Sequence, residues 1–206
     1  MSRYTGPRVK KMRALGVDLP GLSRKTMWDR AYPPGEHGPK NARRRRESDF
    51  KKQLVEKQKL RFNYGLTERQ FRRLFVEAKN NKAPTPDKLL EFLERRLDNA
   101  VFRAGYAATI PAARQLVRHR HIRVNGKRVD IPSYRLKVGD EITLKDKSKE
   151  LAIVKESLEK VALQRPDWMR FDDDTLSCRV AELPSPDAVP FPVEMQLIVE
   201  YYSKRL

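Results

Sequence analysis

Residues 96–144 read RLDNAVFRAGYAATIPAARQLVRHRHIRVNGKRVDIPSYRLKVGDEITL. Within this run the apolar period changes. Leu97, Ala100 and Val101 continue a helical stripe that begins at Leu89, Leu90 and Leu93 and runs to Gly105. Thr85-Pro86 supplies that helix with a cap and a first position. Residues 111–121 predict a second, short helix. At ~100° per residue, Ala113, Leu116 and Val117 share one face, Arg114, Arg118 and His121 a flank, and Gln115 and His119 lie beyond them. Asn125-Gly126, between Ile122/Val124 and Val129/Ile131, predicts a two-residue hairpin turn. Gly139-Asp140 then turns the chain into a strand at Glu141-Ile142-Thr143-Leu144. A helix pair followed by antiparallel strands makes this part an α/β unit.

The polar side of the short helix has a defined chemistry. Guanidiniums fork onto phosphate oxygens, an amide meets base edges or 2′-hydroxyls, and imidazole stacks or hydrogen-bonds. Arg123, Asn125, Lys127 and Arg128 on the hairpin extend that surface.

The rest of the composition agrees. The 206 residues carry 45 Lys+Arg against 27 Asp+Glu, a formal charge of +18. The excess is uneven: net +12 over residues 1–63, +2 over 64–95, +7 over 96–150 and −3 over 151–206. Two basic blocks beside an acidic tail indicate a polyanionic partner, with nucleic acid the first reading and an anionic membrane surface the second. No run approaches ~18 apolar residues, which excludes a membrane span. A single cysteine, Cys178, allows neither an internal disulfide nor a multi-thiolate zinc site.

Upstream, residues 1–46 are broken by five prolines and five glycines and end in Arg43-Arg44-Arg45-Arg46. They predict an extended basic arm that orders in part on its partner. A helix is expected from Ser48 to Phe62. Another opens at Thr67 with Gln70 completing a capping box, and it carries Phe71, Leu74, Phe75 and Ala78 on one stripe. Downstream, a helix is expected from Lys149 to Leu163, an irregular acidic stretch after Pro166, and a strand within Leu176–Leu183. Val193–Tyr202 is apolar enough to dock on the core as helix or strand. The expected fold class is α+β, divided into the arm (1–46), a helical domain (47–95, completed by about 190–206) and an α/β domain (96–189) with an RNA-binding motif at 96–150.

The 96–144 run resembles the small RNA-binding domain of the bacterial and plastid family of small-subunit ribosomal protein four. RYTGP at 3–7, YPPGEHG at 32–38, EKQKLRFNYGLTERQFRRLF at 56–75 and LIVEYYSKR at 197–205 resemble the same family in the same order. The resemblance implies a structural constituent of the small ribosomal subunit. It would be a primary binder of 16S-type rRNA that nucleates assembly of the 5′ domain and contributes to translational accuracy. Implied partners are small-subunit ribosomal protein five, other small-subunit proteins, and mRNA where it enters the ribosome, with no membrane. The location would be the cytoplasm, or the plastid stroma for a plastid-encoded chain. Carried over by position, Arg96, Asp98, Thr109, Arg114, Gln115, His119, His121 and Asn125 form the RNA-facing motif, joined by Arg118, Arg123 and Lys127. Asp98 would orient arginines or a helix terminus. Arg43, Arg44, Arg45, Arg46 and the 51–61 helix would line neighbouring RNA.

Zinc-binding relatives hold the arm with four cysteines. Here Val9 and Met12 stand where the first pair would lie, so the resemblance is to the zinc-free variant, with Trp28, Leu22 and RNA expected to order the arm. No cofactor, metal site or catalytic residue is expected. His119 and His121, two apart on a helix, would point apart, Asp172-Asp173-Asp174 reads as a solvated loop, and no phosphate-cradling glycine motif occurs. An RNA-modifying enzyme is the alternative reading, and repression of its own mRNA is compatible with the main one.

Overall fold

The structure, a computed structural model, describes residues 4–38, 48–161 and 163–206, with the backbone alone at Asp29. Arg43, Arg44, Arg45 and Arg46 lie outside the described residues. Among these residues nine α-helices and five strands give an α+β protein. The chain divides into two compact units. The first comprises residues 1–86 and 191–206, the second 87–190. The sequence reading put this boundary at 95/96 instead, but residues 87–95 pack with the second unit.

The first unit holds α1 (Arg8–Leu15), α2 (Asp49–Asn63), α3 (Glu68–Lys79) and, from the far end of the chain, α9 (Met195–Ser203). Ser48 caps α2, accepting from Lys51 N. Thr67 and Gln70 close the expected capping box on α3. Phe71, Leu74, Phe75 and Ala78 are all buried, as their stripe predicts. Val193–Tyr202, open between helix and strand in the sequence, is helical as α9, and it packs along α2. Its Tyr202 ring stacks on Phe75 at 4.7 Å while the hydroxyl donates to Glu68 Oε1 at 2.7 Å. Buried Lys57 donates to Glu68 Oε2 at 3.0 Å and to the Tyr201 hydroxyl at 3.3 Å. Three elements therefore meet on one carboxylate.

The arm is not extended over its described part. Met12, Leu19 and Leu22 are buried, and Gly16, at φ 69°, ends α1 by returning its N–H to Met12 O. Gly21 N donates to the buried Asn63 Oδ1 at 2.9 Å, and Tyr4 meets Phe62 edge to face. Leu22 thus has the packing role expected of it. Trp28 does not: it is 79% exposed.

The second unit contains α4 (Thr85–Glu94), α5 (Leu97–Arg103) and α6 (Ile110–Arg118), then β1 (Ile122–Val124), β2 (Lys127–Arg128) and β3 (Glu141–Leu144). It ends with α7 (Asp146–Lys149), α8 (Ala152–Glu159), β4 (Met169–Asp172) and β5 (Ser177–Val180). The single helix expected from Thr85 to Gly105 is two. Arg96 is extended at φ −68°, ψ 138°, because the N–H groups of Leu97 and Asp98 turn away to the carbonyls of Tyr134 and Pro132. Likewise the expected 149–163 helix is interrupted where Leu151 is extended at ψ 127°. β4 falls in the stretch after Pro166 that the sequence reading left irregular.

The sheet is antiparallel in the order β2-β1-β3-β5-β4. Its register aligns Val124, Ile142, Cys178 and Phe171 across one face. Ile122, Leu144 and Val180 are buried as well. On this face burial pushes the Cys178 thiol up to about 12, so it stays a protonated core group.

Burial works to raise the pKa of Glu68, but the hydrogen bonds from Tyr202 and Lys57 and the charges of Lys57 and Arg61 outweigh it and hold the carboxyl below its ordinary value. A depressed folded-state pKa contributes stability that is present above the ordinary carboxylate range and lost as pH falls through the folded value. Glu68→Gln should therefore be less stable than the parent at neutral pH. The gap should close on acidification from about pH 5 to about pH 3, read from thermal midpoints. A gap independent of pH would contradict the assignment.

Candidate nucleic-acid interface

The site begins with a carboxylate that has no access to solvent. Asp98 is 0% exposed. Its oxygens accept from Arg96 Nε and Nη2 at 3.0 and 2.8 Å, from Arg114 Nε and Nη2 at 3.0 and 2.6 Å, and from Asn99 N at 3.0 Å. Arg96 forks across both oxygens while the two Arg114 nitrogens converge on Oδ2, contacts that planar guanidiniums allow. They tie the start of α5 to the middle of α6 and leave Arg96 buried as well. The orienting role expected of Asp98 is the geometry seen, but neither it nor Arg96 faces outward. Thr109 is also turned inward, capping α6 by accepting from Ala112 N.

From this base α6 presents its outer residues. Ala113, Leu116 and Val117 are buried, whereas Gln115 and Arg118 are exposed and their side chains make no hydrogen bond or ion pair among the described residues. The helix stops three residues short of the expected 121. His121 N bonds to Leu116 O and Arg120 N to Val117 O, with Arg120 in the left-handed region at φ 63°. This is a Schellman ending with arginine where glycine is usual, at a backbone cost of roughly 1–2 kcal/mol. The shared flank expected of Arg114, Arg118 and His121 therefore does not exist, because His121 has left the helix.

Instead, the rings of His119 and His121 come together, 6.1 Å between centroids. His121 Nδ1 lies 2.9 Å from Ser148 Oγ. Desolvation first, then the charges of His119 and Lys145, lowers the pKa of His121 below the usual imidazole value, so at neutral pH it is a hydrogen-bonding group, not a cation.

In the hairpin, Asn125 and Gly126 are left-handed at φ 50° and 75°, as a type I′ turn requires. The Asn125 side chain is spent on the fold. Its Nδ2 donates to Asp140 Oδ1 at 2.8 Å and its Oδ1 accepts from Glu141 N at 2.9 Å. The two-residue turn sets Arg123 directly opposite Arg128. Like charges facing each other across a strand pair are destabilising unless an anion lies between them. Arg123 is half-buried, Lys127 and Arg128 are exposed, and none of the three makes an internal ion pair among the described residues.

One basic group lies outside the expected surface. On α3 the face opposite the apolar stripe exposes Arg69, Arg72 and Arg73, which the same helical period marks out. By contrast the helix at 51–61, expected to line RNA, engages its later cations internally: Lys57 with Glu68, Lys59 with Glu56, Arg61 with Gln58 and Leu66 O.

The described part of the arm offers no fit for zinc. The Met12 side chain is buried, its Sδ accepting from Leu19 N at 3.3 Å. Among the described residues no group of three or more His, Cys, Asp or Glu could hold a metal ion. No described helix is long and apolar enough to cross a membrane.

Removing one partner of a buried ion pair leaves an uncompensated charge. Arg114→Ala should lower stability by about 2–3 kcal/mol, below the full range for such losses because Arg96 remains on Asp98. Arg118→Ala should change it by less than about 0.5 kcal/mol. Urea unfolding of the two variants checks this, and equal losses would refute the distinction between them.

Comparison with known proteins matches both parts of the chain. Residues 3–94 fit the family model of the ribosomal protein S4/S9 N-terminal domain, and residues 95–142 that of the S4 domain. The small ribosomal subunit protein uS4 of Methylobacillus flagellatus is 60% identical over 206 residues, covering all of both chains. Protein uS4B of Nitrosomonas europaea is 58% identical over the same full lengths. A uS4 from Synechococcus sp. is 50% identical over 207 residues, again covering both chains completely. A buried arginine–aspartate base carrying an outward basic helix and hairpin, full-length likeness and two family models agree: the chain belongs to the uS4 family of small ribosomal subunit proteins.

Proposed function

We propose that the chain is a primary binder of small-subunit rRNA that nucleates folding of the 5′ domain and, through protein five and the mRNA path, bears on decoding accuracy. Membership of the family carries the coarser statement that it is a structural, non-enzymatic constituent of the small ribosomal subunit. Residues 96–150 act as the RNA-reading part of the second unit, and the helical unit with its arm adds a second basic surface. The ribosome concerned is cytoplasmic, the named relatives being bacterial.

One observation carries the reading. Over residues 115–128, the cations Arg118, Arg123, Lys127 and Arg128 lack ion pairs among the described residues and the Gln115 and His119 side chains lack hydrogen bonds, while the carboxylates of Asp98, Asp130 and Asp140 are already engaged by Arg96, Arg114, Arg120 and Asn125. Cations left without counter-charges need phosphates. We assign direct contact to these residues, and to Arg43, Arg44, Arg45 and Arg46 of the arm. Arg96, Asp98, Thr109, Arg114 and Asn125 position them. His121 hydrogen-bonds as a neutral ring. A-form major grooves are too deep and narrow for side chains, so recognition rests on the phosphate geometry and 2′-hydroxyls of a helical junction.

Binding of the full chain to an rRNA fragment containing such a junction should weaken steeply with salt. Arg118→Ala and Lys127→Ala should each reduce the slope of log affinity against log salt by about 1, with thermal midpoints unchanged. A flat salt dependence, or slopes that both variants leave intact, would contradict this surface.

A further inference from the structure

The register of the sheet in the second unit decides which side chains share a face. Val124, Ile142, Cys178 and Phe171 lie on the core side, and successive residues of a strand alternate between sides. The other side therefore carries Arg128 of β2, Arg123 of β1, Thr143 of β3, Arg179 of β5 and Arg170 of β4. Arg128, Arg179 and Arg170 are exposed, and Arg123 and Thr143 are half-buried. Arg123 stands directly opposite Arg128, and at the far edge Arg170 stands directly opposite Arg179. A like-charged pair across two strands is destabilising. Here it occurs twice on the same face of one sheet. None of the four guanidiniums makes a hydrogen bond or ion pair among the described residues.

Two carboxylates share this face. Glu141 is exposed and sits opposite Arg179 across β3 and β5, yet no ion pair joins them among the described residues. Asp172 is turned to its own hairpin, accepting from Thr175 Oγ1 at 2.7 Å and from the N–H groups of Asp174 and Thr175 at 3.0 and 3.4 Å. Four arginines against two carboxylates leave the face basic. Between the arginine pairs lie the hydroxyl side chains of Thr143 and Ser177, and the strands place no apolar side chain there. Protein interfaces are apolar at their centres. Nucleic-acid interfaces are polar and positively charged, and arginine and threonine are among the groups that meet their phosphates. The chemistry of the face therefore favours an RNA backbone. Arg170 and Arg179 belong to a segment of net −3, so charge counting conceals them. Only the register brings them onto the face of Arg123 and Arg128.

We propose that this sheet face carries the phosphate backbone of the rRNA onward from the β1–β2 hairpin, with Arg170 and Arg179 making phosphate contacts outside residues 96–150. Neighbouring strands lie about 4.8 Å apart, so the track from β2 to β4 is about 19 Å long. A phosphate between two opposed guanidiniums replaces their repulsion with charge-assisted hydrogen bonds. The proposal rests on the RNA reading of the hairpin and lengthens its footprint.

The test measures binding of the full chain to a transcript of the 16S-type 5′ domain as salt is raised. Arg170→Gln with Arg179→Gln should reduce the slope of log affinity against log salt by about 2, one for each lost phosphate contact. The thermal midpoint should be unchanged or higher, because opposed charges are relieved. Arg170→Lys with Arg179→Lys should keep the parent slope, which counts charges. Lys155→Gln with Lys160→Gln removes as much charge from exposed positions at α8 and should leave the slope intact. Equal slope losses from the arginine and lysine double variants would overturn the proposal. A flat parent slope would overturn it together with the RNA reading. A steep parent slope that falls in Arg118→Ala but not in the arginine double variant would overturn the sheet-face track alone. If acetylated, amidated hexaglutamate bound the parent but not the arginine double variant, while the transcript bound both alike, the face would belong to an acidic protein segment instead.

Discussion

The Asp98 carboxylate is the point on which the RNA-facing part of this protein turns. Taking an ion out of water costs several kcal/mol, and here five donated hydrogen bonds from two guanidiniums and a backbone amide compensate it. The arrangement fixes more than a contact. Arg96 is extended, so α4 and α5 are separate helices, and the freed amides of Leu97 and Asp98 hold the 132–134 segment. Arg114 is drawn down toward α5, which orients α6 and leaves Arg118 and Gln115 as its outward residues. A buried charge thereby selects which charges face outward.

The same economy of polar groups recurs in the hairpin and the first unit. Asn125 braces the turn and anchors β3 through Asp140 and Glu141, leaving Arg123, Lys127 and Arg128 for outside partners. Glu68 gathers Lys57 and Tyr202 in the helical unit, and Asn63 receives the arm at Gly21. In each case one polar side chain ties together parts of the chain that are distant in sequence.

Much of this was legible in the residues, and the failures have identifiable causes. The capping box at Thr67, the stripe on α3, the Asn-Gly turn and the strand at Glu141 depend on neighbours within a few positions, and all occur where the pattern places them. The break at Arg96 does not depend on neighbours. It is made by carbonyls nearly forty residues away, at Pro132 and Tyr134, and no local periodicity reveals them. The helix end at Arg118 was hidden because arginine at the left-handed position lacks the glycine that normally marks it. β4 is only four residues, MRFD, too short for its alternation to stand out from coil. For the site, residue type marks the basic cluster but not which of its members the fold engages. Arg96, Asp98 and Thr109 are buried and the Asn125 side chain is bonded within the hairpin, which residue type alone does not reveal.

The docking of α9 along α2 has a consequence for how the molecule is made. The second unit, residues 87–190, is one uninterrupted stretch of chain and can complete its core as soon as it has been synthesised. The first unit cannot. Its Phe71 and Phe75 wait for Tyr202, and Lys57 and Glu68 wait for the hydroxyls of Tyr201 and Tyr202, from a helix translated more than a hundred residues later. Domains commonly mature in the order in which they are synthesised. Here the order is inverted, and the N-terminal helices stay without their final partner until α9 has emerged.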